Sequence, residues 1–268
     1  MMAGGIPLDP DAVAFLTAAG ITDGTITSAI NNLVVSLKGF GLWTKLKAIY
    51  PFVGGTATTH KFNLKDPQDT NAAFRLVFAG GWTHSANGAQ PNGTNAYADT
   101  FFVPNTHQSI TSGHISAYSR TSATSLTTFG LSIGASNNSG QTSYLTIRRN
   151  FTPSAAGVMW GELSNDFVTA SNADGKGFYI LTRTSSSLLQ FFKSGTLLVQ
   201  TAGAQTQTQV VNFSYYLATV NAANSPGVLT YDNKEFAFVS MGDGINTTES
   251  LDLQTAVQAF QTTLGRQV

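Results

Sequence analysis

From about Tyr50 the apolar residues of this chain fall in short runs with a period of two, and no helices read between them. Phe129, Leu131 and Ile133 alternate with Ser132 and Gly134. Leu145 and Ile147 alternate with Tyr144, Thr146 and Arg148, and Val158 and Trp160 alternate with Met159 and Gly161. Phe213, Tyr215 and Leu217 continue the pattern, and Leu229, Tyr231 and Phe236 to Val239 add further strand material. A period of two places alternate side chains on opposite faces of a sheet. Asn87-Gly88, Asn92-Gly93, Asp174-Gly175 and Ser194-Gly195 fall between these runs as turn signals. Many short strands joined by turns predict antiparallel sheets, which at this length means a mostly β sandwich of the jelly-roll kind.

The two ends differ. Asp9 is the expected cap of a first helix, Pro10 suits its first position, and Gly20 stops it. Thr22 or Asp23 caps a second, with Ile26, Ile30, Leu33, Val34 and Leu37 at helical spacing and Gly39 at the expected left-handed end. Trp43, Leu46 and Tyr50 read as one more helical turn. Near the C-terminus Asn246 and Glu249 form a capping arrangement ahead of the stripe Leu253, Val257, Phe260 and Leu264, which Gly265 ends. The expected organisation is a helical segment over residues 1–48 and a sandwich over 49–268 closed by a helix at 247–265. Short N-terminal helices are not stable alone, so they either cover a sheet or dock the chain to a neighbour. Thr201 to Gln209 reads as an exposed loop or hairpin edge.

Composition excludes several classes. The 268 residues include 14 basic and 14 acidic side chains, so only 10% are charged. Phosphate-driven nucleic-acid binding needs clustered Lys and Arg, and only Arg148 and Arg149 are adjacent. No cysteine is present, which removes disulfides, thiolate nucleophiles and Cys-ligated metals. No run of about 18 apolar residues predicts a membrane span, and Met1 to Pro10 lacks the basic and apolar regions of a signal peptide. Ser, Thr, Asn and Gln make up about a third of the chain. Such a surface loses water at lower cost than a charged one and repels neighbours little. It predicts a subunit of an assembly, taken to be a symmetric homo-oligomer.

Two kinds of resemblance follow. The pair Gly177-Phe178-Tyr179-Ile180-Leu181-Thr182-Arg183 and Leu188 to Leu197, with its turn Phe192-Lys193-Ser194-Gly195, resembles consecutive strands of the concanavalin A-like (laminin G-like) jelly roll. The segments Trp43 to Gly55, His60 to Pro67, Gly80 to Thr83 and Asn233 to Gly244, with the helix end Phe260 to Arg266, resemble a group of tailed-phage virion, tail or fibre proteins. This likeness implies a non-enzymatic structural protein on the virion exterior, as a tail, fibre or capsid-decorating component, partnered by other virion proteins and by itself. A host glycan is the further implied ligand, which makes a glycan-binding module for host adsorption the alternative function. The resemblance carries over no catalytic residues.

A glycoside hydrolase on such a sandwich needs two facing carboxylates. The glutamates are Glu162, Glu235 and Glu249; Glu249 serves a helix start, and Glu162 with Asp166 is the pair left open for a depolymerase. Gly130-Leu131-Ser132-Ile133-Gly134 matches the serine-hydrolase pattern, which requires a strand-to-helix elbow. Here it lies in an alternating strand followed by a turn, so it reads as coincidence. His60, His84, His107 and His114 lack metal-ligand spacing. No cofactor is expected; calcium, which concanavalin-like domains often hold, would draw on Asp174 or Asp243, each also an ordinary turn residue. For a glycan, the stretch from Gly81 to Asp99 offers Trp82, His84, Asn87, Tyr97 and Asp99 on what reads as a long loop, an aromatic face with polar groups around it. Trp43 and Trp160 read as core.

Overall fold

The computed structural model of the chain describes residues 7–123, 129–137, 140–147, 154–161, 167–201 and 209–268. In chain order its elements are α1 (Pro10–Ala19), α2 (Gly24–Gly39), β1 (Leu46–Tyr50), α3 (Ala57–His60), β2 (Val77–Ala79), β3 (Trp82–Ser85), β4 (Gly88–Pro91) and β5 (Tyr97–Asp99). Then come α4 (Pro104–His107), β6 (Gly113–Ser119), β7 (Ile133–Ser136), β8 (Thr142–Thr146), β9 (Ser154–Gly161), β10 (Phe167–Ser171), β11 (Gly177–Arg183) and β12 (Leu189–Lys193). The chain ends with β13 (Thr196–Gln200), β14 (Tyr216–Leu217), β15 (Val220–Ala222), β16 (Phe236–Gly242) and α5 (Thr247–Thr263).

These strands form the expected mostly β jelly-roll sandwich with helices at both ends. One sheet runs β13-β12-β11-β6-β16-β4-β3, with β1 also paired to β16; the other runs β10-β9-β8-β7-β14-β5-β2. Every pair is antiparallel except β15, which lies parallel to β7. The inner faces interlock through Ile115, Tyr179, Leu181, Phe191, Val239 and Met241 of the first sheet and Ile133, Leu145, Val168 and Leu217 of the second. The outer face of the first sheet is also apolar. Tyr118, Phe178, Ile180, Phe192 and Phe238 pack under Phe15, Ile30, Leu33, Leu253, Val257 and Phe260 of α1, α2 and α5. The N-terminal helices therefore cover a sheet. The central strands β6, β11 and β16 are consequently buried on both faces, which is why they read as continuous apolar runs.

Local signals set the helix ends. The Asp9 carboxylate accepts from the Asp11 amide, Pro10 opens α1, and Gly20 takes φ +65°. Asp23, of the two expected candidates, caps α2. The left-handed residue after α2 is Gly41, at φ +71°, rather than Gly39, which stays helical. The Asn246 side chain accepts from the Glu249 amide, and Glu249 accepts from the Asn246 amide at 2.8 Å. Replacing Asn246 with alanine is expected to lower the unfolding free energy by about 1 kcal/mol. Urea unfolding checks this, and an unchanged midpoint would mean that the cap is idle.

Two expectations about elements fail. The turn expected over residues 43–50 is confined to 43–45, where the Lys45 and Leu46 amides donate to the Leu42 carbonyl oxygen; Leu46–Tyr50 is a strand whose register shifts between Leu46 and Ala48. The bulge puts Leu46 and Ile49 against the helices and Ala48 and Tyr50 in the inter-sheet core, so the period of two is broken where it would have shown. The stretch 81–99 is no long loop either; it holds the β3–β4 hairpin and β5. Of the predicted strand residues, Phe129, Leu131, Ile147, Leu229 and Tyr231 lie outside any strand, and Phe213 and Tyr215 precede the two-residue β14. Most of the Thr201 to Gln209 stretch lies outside the described residues.

Candidate functional site

At one end of the sandwich the loops around three distant segments enclose an open cleft of about 720 Å³, within the range of ligand sites. Segment 105–110 takes in the end of α4, residues 137 and 140–141 lie between β7 and β8, and segment 209–213 leads into β14. Ile110, Val210 and Phe213 supply its apolar surface, and Ile110, Val210 and Phe213 also pack on the inter-sheet core. Around them stand the carboxamides of Asn105, Gln108, Asn137, Gln141, Gln209 and Asn212.

Some of these amides are fixed. The Gln108 side chain donates to the carbonyl oxygens of His114 at 3.1 Å and Gly242 at 2.7 Å in the first sheet. It also accepts from the Tyr215 hydroxyl at 3.3 Å, beside the second sheet. Gln108 is thus a strut between the layers at the base of the cleft. Asn137 Nδ2 donates to Gln141 Oε1, and Gln141 Nε2 donates to Gln209 Oε1 at 3.1 Å. The relay fixes the orientation of Gln141. Asn105 and Asn212 are exposed, and among the described residues their carboxamides meet no hydrogen-bond partner. No described residue of the lining carries a carboxylate, imidazole, ammonium or guanidinium group.

The five residues expected to bind a glycan are divided among three places. Trp82 is half-buried, and its Nε1 donates to the carbonyl oxygens of Ala79 at 3.1 Å and Tyr97 at 3.0 Å. Its ring meets Phe78 edge-on at 5.2 Å, on the inner side of the sandwich. His84 shares that side, with its Nδ1 2.9 Å from Nδ1 of His60. Asn87 sits exposed at the β3–β4 turn. Tyr97 and Asp99 lie on the outer face of the second sheet, where Tyr97 stacks on Tyr216 at 4.9 Å. Asp99 Oδ1 accepts from the Phe101 amide and the Ser214 hydroxyl, both at 2.8 Å. Burial raises the Asp99 carboxyl above its usual range despite these bonds. Burial, with Asp99 and Tyr97 behind it, pushes the Tyr216 hydroxyl up to about 12.

The other candidates are placed as follows. Ser132 of the hydrolase-like pattern is fully buried and donates to Asp232 Oδ2 at 2.5 Å, with Lys234 2.7 Å from the other carboxylate oxygen. It is a tie within the fold with no elbow to present it. His60 and His84 meet as a pair that no sequence spacing announced, while His114 is buried and His107 packs on Phe74 at 4.7 Å. Asp174 and Asp243 flank opposite ends of β11; Asp174 accepts from the Lys176 amide, and Asp243 pairs with Lys47 at 2.6 Å. No group of three potential metal ligands occurs among the described residues. Glu162 and Asp166 lie outside the described residues, as does the side chain of Trp160. Trp43 is half-buried at the margin of the helical layer, with Lys65 Nζ 3.6 Å above its ring. No helix among the described residues is long and apolar enough to cross a membrane.

No protein family and no curated protein matches the chain. Solved structures do. A mutant of Trypanosoma rangeli sialidase displaying trans-sialidase activity superposes with a TM-score of 0.57 at 11% identity, covering 87% of this chain and 39% of the sialidase. Domain 4 of AbnA, an extracellular arabinanase of Geobacillus stearothermophilus solved with arabinotriose, gives 0.43 at 13% identity, over 78% of this chain and 98% of that domain. The CBM40 of a Ruminococcus gnavus sialidase gives 0.40 at 11% identity, over 55% of this chain and 84% of that one. The sialidase superposition shows a shared sandwich fold, and this chain spans well under half of that enzyme.

Proposed function

We propose that this chain is a non-catalytic carbohydrate-binding module and that the carboxamide-lined cleft holds the glycan. The observation that carries this reading is the lining itself. A carboxamide donates and accepts in one plane, which suits adjacent sugar hydroxyls. Phe213 offers an apolar surface for the less polar side of a sugar ring. Glycosidic cleavage needs a carboxylic acid and a second carboxylate, and no described residue of the lining supplies either.

An array of bacterial and host polysaccharides tests the reading. At least one glycan is expected to bind, and Asn105→Ala and Asn212→Ala are each expected to weaken it about tenfold, the value of one hydrogen bond. Both side chains are exposed, so their loss leaves the fold intact. Binding by no glycan, or binding that survives both substitutions, contradicts the proposal. Release of reducing ends from a bound glycan contradicts its non-catalytic part.

The setting proposed for this module is the exterior of a tailed-phage particle, where glycan contact would serve adsorption to the host. The segment-level resemblance to phage virion proteins supports that setting. Antibody labelling of intact particles tests it; particles that lack the protein overturn it.

A further inference from the structure

The cleft has a chemical property that narrows its ligand. The described segments that line it, 105–110, 137 with 140–141, and 209–213, contain no Lys, Arg, Asp or Glu. Their one titratable side chain is His107, whose ring is turned into Phe74 at 4.7 Å and Phe102 at 5.1 Å. Lys47, beside the first of these segments, is held by the His107 carbonyl oxygen and by Asp243, both at 2.6 Å. An acidic sugar brought into such a cleft would leave water without meeting an opposite charge on any described lining residue, which is unfavourable. Recognition of carboxylates and sulfates relies instead on arginine or lysine, through charge-assisted bonds.

We infer that the ligand is an uncharged glycan and that sialylated, uronic or sulfated sugars are rejected. This rests on the reading of the cleft as a glycan site. The carboxamides of Asn105, Asn212 and Gln209 would bond neutral hydroxyls without any ion pair, so affinity should be indifferent to salt. With no charge on the described lining, shape and hydrogen bonding set specificity.

Affinity electrophoresis of the full chain through gels holding a neutral polysaccharide or its sulfated counterpart decides the question. Dextran with dextran sulfate and laminarin with laminarin sulfate are suitable pairs, together with the neutral glycans that the array selects and their acidic forms. The expected result is retardation by a neutral polymer, at least about tenfold weaker retardation by its charged form, and no change between low and high salt. Asn212→Arg, which sets a cation in the wall, is expected to reverse the preference and make it salt-sensitive. Tighter, salt-sensitive binding of the charged form by the unaltered protein overturns this inference and leaves the glycan-binding reading standing. Retardation by none of these polymers overturns both.

Discussion

Arg266→Leu is expected to lower the unfolding free energy by about 4 kcal/mol, at the upper end of what single substitutions do. The guanidinium is buried two residues before Val268, and among the described residues every acceptor it meets is uncharged. It donates to Gln261 Oε1 at 2.6 Å, the carbonyl oxygens of Phe52 at 2.8 Å and Ala86 at 3.3 Å, and those of Pro51 at 2.7 Å and Ala237 at 2.9 Å. These acceptors belong to the end of β1, the β3–β4 turn, β16 and α5. One side chain therefore fastens the helical layer, the closing strand and the edge hairpin together. Leucine would leave Gln261 Oε1 and the carbonyl oxygens of Pro51 and Phe52 without this buried donor, while the Ala237 carbonyl keeps the Gln261 amide; each unsatisfied buried group costs about 1–3 kcal/mol before relaxation. Arg266→Lys keeps the charge but not the planar fork, so it is expected to recover less than half of the loss. Burial already presses the guanidinium down to about 9, Arg120 adding to the effect. Urea unfolding of both variants provides the measurement, and a loss under about 1 kcal/mol would show that the acceptors find other partners.

Acidification is the second large effect. Burial, His84 and Arg266, in that order, hold His60 down to about 3. Burial holds His114 down to about 4 against the Asp243 carbonyl oxygen, which accepts from its Nδ1 at 2.7 Å. Both imidazoles are neutral in the fold and bind protons near pH 6.5 once the chain unfolds. Their contribution to stability is complete above about pH 6.5 and falls away as the pH drops toward 4, because the unfolded chain then binds the extra protons. The expected slope is about 1.4 kcal/mol per pH unit for each site below 6.5. Denaturation followed from pH 7 to pH 5 checks this. His114→Gln, which preserves a polar group opposite Ser240, should reduce the slope even where it lowers stability at neutral pH. A stability that stays flat over that range would mean that the two histidines are charged in the fold.

Features set by a few adjacent residues were legible in the sequence. Asp9, Pro10 and Gly20 bound α1, and Asn246 with Glu249 caps α5, because capping is decided within one turn of helix. Asn87-Gly88 and Ser194-Gly195 make the hairpins they predict, with Gly195 at φ +80°. The strand β1 was hidden by its bulge. The cover role of the N-terminal helices was legible only as one of two readings, since apolar stripes do not say what they face.

The cleft was illegible for a different reason. Its carboxamides stand on α4 and on turn and loop segments separated by some 30 to 70 residues, where Asn and Gln look like ordinary turn residues. The Gln-rich stretch ending at Gln209 was the one available signal, and it read as an exposed loop. Trp82 drew attention as an aromatic beside polar groups, but its indole nitrogen is engaged by two carbonyl oxygens within the fold. Tyr97 and Asp99 alternate on one strand and so share a face, whereas Trp82 belongs to the other sheet.

The most direct test follows side-chain amide resonances while a neutral oligosaccharide that the array selects is titrated into the isotopically labelled protein. The NH₂ signals of Asn105, Gln209 and Asn212 should shift together and saturate, with those of Asn87 and Asn92 unmoved. Saturable binding that shifts the Trp82 indole or the Asn87 amide and leaves the three cleft amides in place would contradict the account.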